Sequence, residues 1–206
     1  MGTTTIPSSA TDRTHCHPSS ISPSQNSMRR FTAVLVLTLL ASCTESGAQQ
    51  VLFLDYQAEL PASLEPRGAT SAMRLAEYTV RRTDDTNAEM IVYYFGEGQG
   101  GSADDNIARW SAQFTTADGG PVTPHVTRIP GTAFPTTLAE YEGTYARAVG
   151  MGDGAPAKPD QSLVAAVVET PKGNLYLQLF GDRPAVAAVR EDFVGMVASI
   201  RPESGD

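Results

Sequence analysis

In the run Gly96-Glu97-Gly98-Gln99-Gly100-Gly101, the residues Gly96, Gly98 and Gly101 are spaced Gly-x-Gly-x-x-Gly. After a strand and before a helix, such glycines let the backbone approach a pyrophosphate, which the free N–H groups of the helix start then hold. The apolar run before the loop and the helical pattern after it supply part of that setting. The chain beyond the helix does not supply the rest. Gly119-Gly120-Pro121-Val122-Thr123-Pro124-His125 is no apolar parallel strand, and no acid stands at its end to hold a ribose. Asp104 and Asp105 would also meet the phosphates with like charge. The loop is therefore read as a strand-to-helix turn. Gly96, Gly98, Gly101 and Trp110 stay as candidate contacts for another small ligand, held between the helix and a sheet.

Other reactive sets are sparse. The pairs Asp84-Asp85, Asp104-Asp105 and Glu191-Asp192 have the residue types of a glycosidase. Each also falls where a turn or a solvated helix face accounts for it. His125, between Pro124 and Pro130 on a polar stretch, reads as a surface residue rather than a base. No Gly-x-Ser-x-Gly or Ser-x-x-Lys occurs. His15-Cys16-His17 places three metal-capable side chains side by side, but three neighbours on a flexible stretch do not close a tetrahedral site alone. No catalytic set, metal or cofactor is expected. The formal net charge of −8 argues against a sequence-independent grip on nucleic acid and against a polybasic membrane patch.

These residues need a frame. Residues 51–60, stopped by Pro61, read as one strand, and 72–80 as a second. Met90 to Phe95 is continuously apolar, β-branched and aromatic, as suits a central strand covered on both faces. The charged residues 81–87 join the last two as a hairpin connection. Ser102 is a good N-cap, and Asp104 and Asp105 favour the first turn. Ile107, Trp110 and Phe114 share a helical face, so a helix is expected to about Thr116, with Trp110 toward the core. Strands follow at 122–129 and 134–145, then a Gly/Pro/Ala loop over 148–160. A hairpin joins 163–168 to 175–180 across Pro171-Lys172-Gly173-Asn174. A final helix begins near Pro184, with Val186, Val189, Phe193, Val197 and Ile200 as its apolar stripe. Strands outnumber helices and come in hairpins. The expected class is α+β, an antiparallel β-sheet flanked by two helices.

The N-terminal region has another character. Residues 1–27 are rich in Ser, Thr and Pro without apolar periodicity, and read as disordered sequence upstream of a mis-assigned start. From Met28 the chain shows Arg29-Arg30, ten apolar or uncharged residues from Phe31 to Leu40, then small residues. That run is too short to span a bilayer and suits an export signal. The residues after the twin arginine do not complete the folded-export motif, so the general secretory route is expected.

Leu40-Ala41-Ser42-Cys43 resembles the lipobox of bacterial lipoproteins. The resemblance implies that a signal peptidase recognises Leu40, Ala41 and Ser42 and cuts before Cys43, whose thiol carries diacylglycerol. The chain would then be exported and held to a membrane through lipid on Cys43. Thr44, in place of an aspartate, is compatible with the periplasmic side of an outer membrane where the cell has two membranes. Cys16 and Cys43 would not coexist in the mature chain, so no disulfide joins them. Residues 43–50 become a tether and 51–206 a single domain. The mature part carries 12 basic and 22 acidic residues, a net charge near −10.

From Met73 to Ile200 the chain is similar to a group of exported bacterial lipoproteins. The pieces are Met73-Arg74-Leu75-Ala76, Asn106-Ile107-Ala108-Arg109-Trp110, Val167-Val168-Glu169-Thr170-Pro171-Lys172-Gly173 and the Phe193 helix. The element order also resembles the Mog1/PsbP-like α/β sandwich. Neither resemblance brings catalytic residues. The expected function is a non-catalytic, membrane-anchored envelope domain that binds a protein or other envelope component. The alternatives are a small-molecule-binding domain with its pocket at the Gly96–Gly101 loop and the Trp110 helix, and a carboxylate hydrolase.

Overall fold

The computed structural model describes residues 49–81, 85–147 and 156–203. The expected signal, lipobox and Cys43, the His15-Cys16-His17 cluster and Asp84 lie outside them. Neither described helix is long and apolar enough to cross a membrane.

The first apolar segment cannot be one strand. Phe53, Tyr56, Ala58 and Leu60 are all buried, yet Phe53 and Tyr56 are three apart and would face opposite sides of a straight strand. The chain reverses instead. β1 (Gln49–Phe53) and β2 (Tyr56–Leu60) form a hairpin with Phe53 opposite Tyr56. Leu54 makes the turn at φ 58°. The strand expected over 51–60 is thus corrected to a hairpin. Two short strands lacked any apolar pattern to announce them, β3 (Leu64–Arg67) and, at the far end, β11 (Arg201–Pro202).

The central pieces are close to expectation. β4 is Arg74–Val80 and β5 is Ala88–Tyr94. α1 (Ala103–Ser111) is shorter than expected: it stops at Ser111 because Phe114 enters β6 (Phe114–Thr115) and pairs with Tyr145. Phe114 is buried between Tyr141 and Tyr145, stacked at centroid distances of 5.3 and 4.4 Å. β7 (His125–Arg128) and β8 (Thr136–Tyr145) follow. β9 (Lys158–Thr170) begins earlier than the expected hairpin arm, inside the stretch read as loop. β10 is Gly173–Asp182, and only Pro171 and Lys172 lie between it and β9. α2 (Arg183–Ala198) has Pro184 in its first turn, as its sequence requires. Five strands, not four, separate the helices.

The strands form two antiparallel sheets. One has the order β1-β2-β11; the other runs β3-β4-β5-β10-β9-β8-β6, with β7 also on the β8 edge. The fold is α+β, with an antiparallel sheet and a helix on each face. Alternation along β10 separates those faces. Leu175, Leu177 and Leu179 join Val186, Val189 and Phe193 of α2 and residues of the small sheet in one apolar layer. Tyr176 and Phe180 join Trp110 of α1 with Tyr141 and Tyr145 of β8 in the other. The first layer is aliphatic and closed. The second is aromatic and, among the described residues, only partly covered, because α1 is short.

Candidate functional site

The coverage is a matter of lengths. α1 has nine residues, so it is about 13 Å long. The sheet beneath is seven strands across, roughly 30 Å at ordinary strand spacing. Trp110 and Ile107 lie over the Tyr141 side, and the Tyr141 hydroxyl donates to the Ile107 carbonyl at 2.9 Å. Tyr93 and Gln178 lie at the edge of the helix, and Phe180 lies farther along the same sheet face.

Two hollows open there. One, about 130 Å³, runs from Trp110, Arg109 and Gln113 to Tyr93, Gln178 and Arg147. The other, about 290 Å³, is lined by Phe180, Lys158, Gln161, Asp182 and Glu89 among others. Tyr145 and Arg147 line both, so the two hollows adjoin, and together they are called the groove. Within the smaller hollow no Asp or Glu is present. In the larger, both carboxylates are engaged. Glu89 pairs with Arg67 at 2.8 Å. Asp182 accepts from the Asn87 amide at 2.7 Å and from Gln161 at 2.8 Å.

Arg147 is the shared wall. Its guanidinium lies 4.0 Å over the Phe180 ring, and its Nη2 donates to the Tyr93 hydroxyl at 2.9 Å. With one N–H on Tyr93, four N–H groups of the guanidinium remain for other acceptors. Burial pushes the neighbouring Tyr145 hydroxyl up to about 12, against a lowering by Arg147, so it stays a neutral donor. Arg147 was not singled out by sequence. It stands alone after a strand, and only the fold brings it over Phe180.

The residues that sequence did single out separate. Trp110 lines the groove but is 3% exposed, a wall rather than a free stacking surface. Gly96, Gly98 and Gly101 are not among the lining residues. Their loop is filled from within. The Tyr176 hydroxyl donates to the Gly101 carbonyl at 2.6 Å, and Asn106 Nδ2 donates to the Gly100 and Ser102 carbonyls at 2.9 Å each. A Cβ on Gly100 would lie 2.5 Å from the Tyr176 oxygen, and one on Gly173 would lie 2.8 Å from the Gly96 carbonyl. These glycines admit protein atoms where a phosphate motif would admit ligand.

The start of α1 is likewise closed. The Asp105 amide donates to Ser102 Oγ at 3.1 Å, and the Ser102 amide donates back to the Asp105 carboxylate at 3.0 Å. The bonds from the Ser102 hydroxyl and amide hold the Asp105 pKa below the ordinary value. Of the pair Glu191-Asp192, Glu191 meets Arg190 and Asp192 accepts from the Ser63 hydroxyl at 2.5 Å. His125 sits on the β7 edge, 73% exposed, with Nδ1 3.6 Å from Glu140.

One acid is fully buried. The Glu77 side chain, on β4, is 0% exposed and bonded by Arg67 (3.0 Å), Arg74 (3.1 Å), the Thr70 amide (2.5 Å) and the Thr70 hydroxyl (2.8 Å). Burial raises its pKa, but these bonds outweigh it and bring the group down to about 2. Glu77 is an anion at neutral pH that ties residues 67–74 to the sheet. With every approach occupied by a protein donor, it is a structural group.

No protein-family model matches the chain, and no curated protein matches it. Among solved structures, the chain is similar to the solution structure of cyanobacterial PsbP (CyanoP) from Synechocystis sp. PCC 6803. The identity is 15%, the match covers 79% of this chain and 98% of that chain, and the TM-score is 0.48. At that distance the likeness concerns the course of the backbone and carries no function with it.

Proposed function

We propose that this chain is an exported, lipid-anchored binding domain whose binding site is the groove between α1 and the uncovered part of the sheet. The anchor rests on the sequence Leu40-Ala41-Ser42-Cys43 behind a ten-residue apolar run. The binding role rests on the groove, a concave aromatic surface with a few convergent polar groups. The reading favours a small ligand over a flat protein partner.

β1 begins at Gln49, so residues 44–48 are all that separates it from Cys43. Six residue steps reach at most about 20 Å. A lipid on Cys43 would therefore keep the domain close to the bilayer surface. The experiment is membrane fractionation with intact-mass analysis, for the natural chain and Cys43→Ala. A membrane-bound species starting at Cys43 with added diacylglycerol, lost in the variant, is the expected result. A soluble chain retaining residues 1–42 would overturn the anchor.

A further inference from the structure

We infer that the groove takes a small planar ligand bearing a carboxylate, with Arg147 as the group that holds the anion. The inference rests on the groove being the binding site and adds the chemistry of what it binds.

Three observations carry it. First, charge is distributed against the grain of the chain. The protein has 23 acidic and 15 basic residues, yet the hollow under Trp110 is lined by Arg109 and Arg147 and by no acid. In the adjoining hollow both acids are satisfied by protein donors, whereas among the described residues neither Arg147 nor Lys158 forms an ion pair with a carboxylate. The hollow under Trp110, whose charged lining residues are both cations, concentrates the opposite sign. By contrast, the open groove beside Glu142 and Asp160 already pairs its cation: Arg183 meets Asp160 at 2.7 Å and Glu142 at 3.8 Å.

Second, Arg147 is held in advance. Its guanidinium carbon lies 4.0 Å from the centre of the Phe180 ring, and Tyr93 accepts one of its five N–H bonds. The remaining edge is a fork of the shape that a carboxylate fills with two parallel bonds. Because Tyr93 accepts from Arg147, its own O–H remains free to donate to the same anion.

Third, Gln178 stands at the middle of β10, in the centre of the large sheet, where its alternate neighbours Tyr176 and Phe180 are aromatic and buried. No hydrogen bond of its side-chain amide is made among the described residues, and it lines the groove. Its half-buried amide places a donor and an acceptor between aromatic neighbours, where a polar group on a ligand can meet them. Tyr93 and Phe95, stacked at 6.0 Å with 12° between their planes, form an aromatic wall beside it. A flat ligand body suits that wall, and the volume suits a molecule of one ring.

Trp110 is the one tryptophan of the chain and lines this hollow, so its emission reports occupancy. The experiment titrates the intact lipidated protein in detergent with benzoate and with benzamide, its uncharged counterpart of the same shape. A saturable change in Trp110 emission is expected with benzoate at concentrations on the order of 1 mM. Benzamide should bind about tenfold more weakly, as should benzoate to Arg147→Gln. Tyr93→Phe keeps the ring and removes the hydroxyl, and should weaken benzoate severalfold while leaving the melting temperature of the protein nearly unchanged. Equal binding of benzoate and benzamide would overturn the carboxylate inference and leave the groove as a binding site. No saturable response to either compound would overturn both.

Discussion

The hydroxyl of Tyr176 lies 2.6 Å from the carbonyl of Gly101 and occupies the space in which a side chain on Gly100 would have to stand. The glycine-rich loop is a socket for a tyrosine. Gly100 and Gly98 differ in that respect alone: both have positive φ, 87° and 68°, but Gly98 faces open space. Gly98→Ala should cost about 1 kcal/mol of backbone strain. Gly100→Ala adds a clash with a fully buried ring and should cost on the order of 3 kcal/mol. Urea denaturation of the two variants checks this, and equal stabilities would refute the socket.

Glu77 gives the fold an acid-sensitive clasp. Its pKa in the folded protein, about 2, lies below the ordinary 4.5. Its contribution is therefore complete above pH 4.5 and disappears as the pH falls from there toward 2. Glu140 acts in the same direction: the bonds from Arg190, at 2.6 and 2.7 Å, hold its pKa below the ordinary value despite partial burial. Melting temperatures measured from pH 7 to 2 should fall most steeply below pH 4.5. Glu77→Gln should lower stability by roughly 3 kcal/mol at pH 7, because it leaves Arg67 and Arg74 facing a neutral group. It should also flatten the acid limb. An unchanged acid limb in that variant would remove Glu77 from the account.

Arg190 and Glu140 form a two-point clip between α2 and β8. Both side chains are partly exposed, so the pair is screened by solvent and its coupling should be about 1 kcal/mol. A double-mutant cycle with Arg190→Gln and Glu140→Gln measures it. The coupling should shrink in 1 M salt, where the screening length is about 3 Å. A coupling that does not respond to salt would mean that the contact is not electrostatic.

Leu54 is a leucine at φ 58° on an exposed turn, 43% accessible. Little burial offsets that conformation. Leu54→Gly should therefore be neutral or stabilise the protein by up to about 1 kcal/mol, in contrast to most leucine truncations. A loss above 1 kcal/mol on thermal unfolding would show that Leu54 packs in a way its exposure conceals.

The elements legible in the sequence were those whose pattern matches their burial. The Phe193 stripe, the capping box at Ser102 and the β9–β10 hairpin are local signals, and each stands where its residues place it. The β1–β2 turn was hidden because its apolar spacing imitates one long strand. β3, Leu-Glu-Pro-Arg, has a single buried residue and owes its existence to pairing with β4. Phe114 continued the helical face in sequence but is drawn into a stack with Tyr141 and Tyr145, and this contact shortens α1. Of the candidate site, Trp110 was legible from its single occurrence and helical position. Arg147 was not, because its partners Tyr93 and Phe180 are 54 and 33 positions away and only the strand order unites them.

The unequal covering of the two sheet faces divides the labour of selection. The aliphatic face, sealed by α2, bears the folding free energy, and its residues are bound to one another by volume. Among the described residues the aromatic face is covered on one side only, so Tyr93, Arg147 and Gln178 stand at its half-buried rim. Under the proposed binding role, a few substitutions there would change the ligand without re-solving the packing beneath. The same three positions are where a designer would begin to retarget the scaffold.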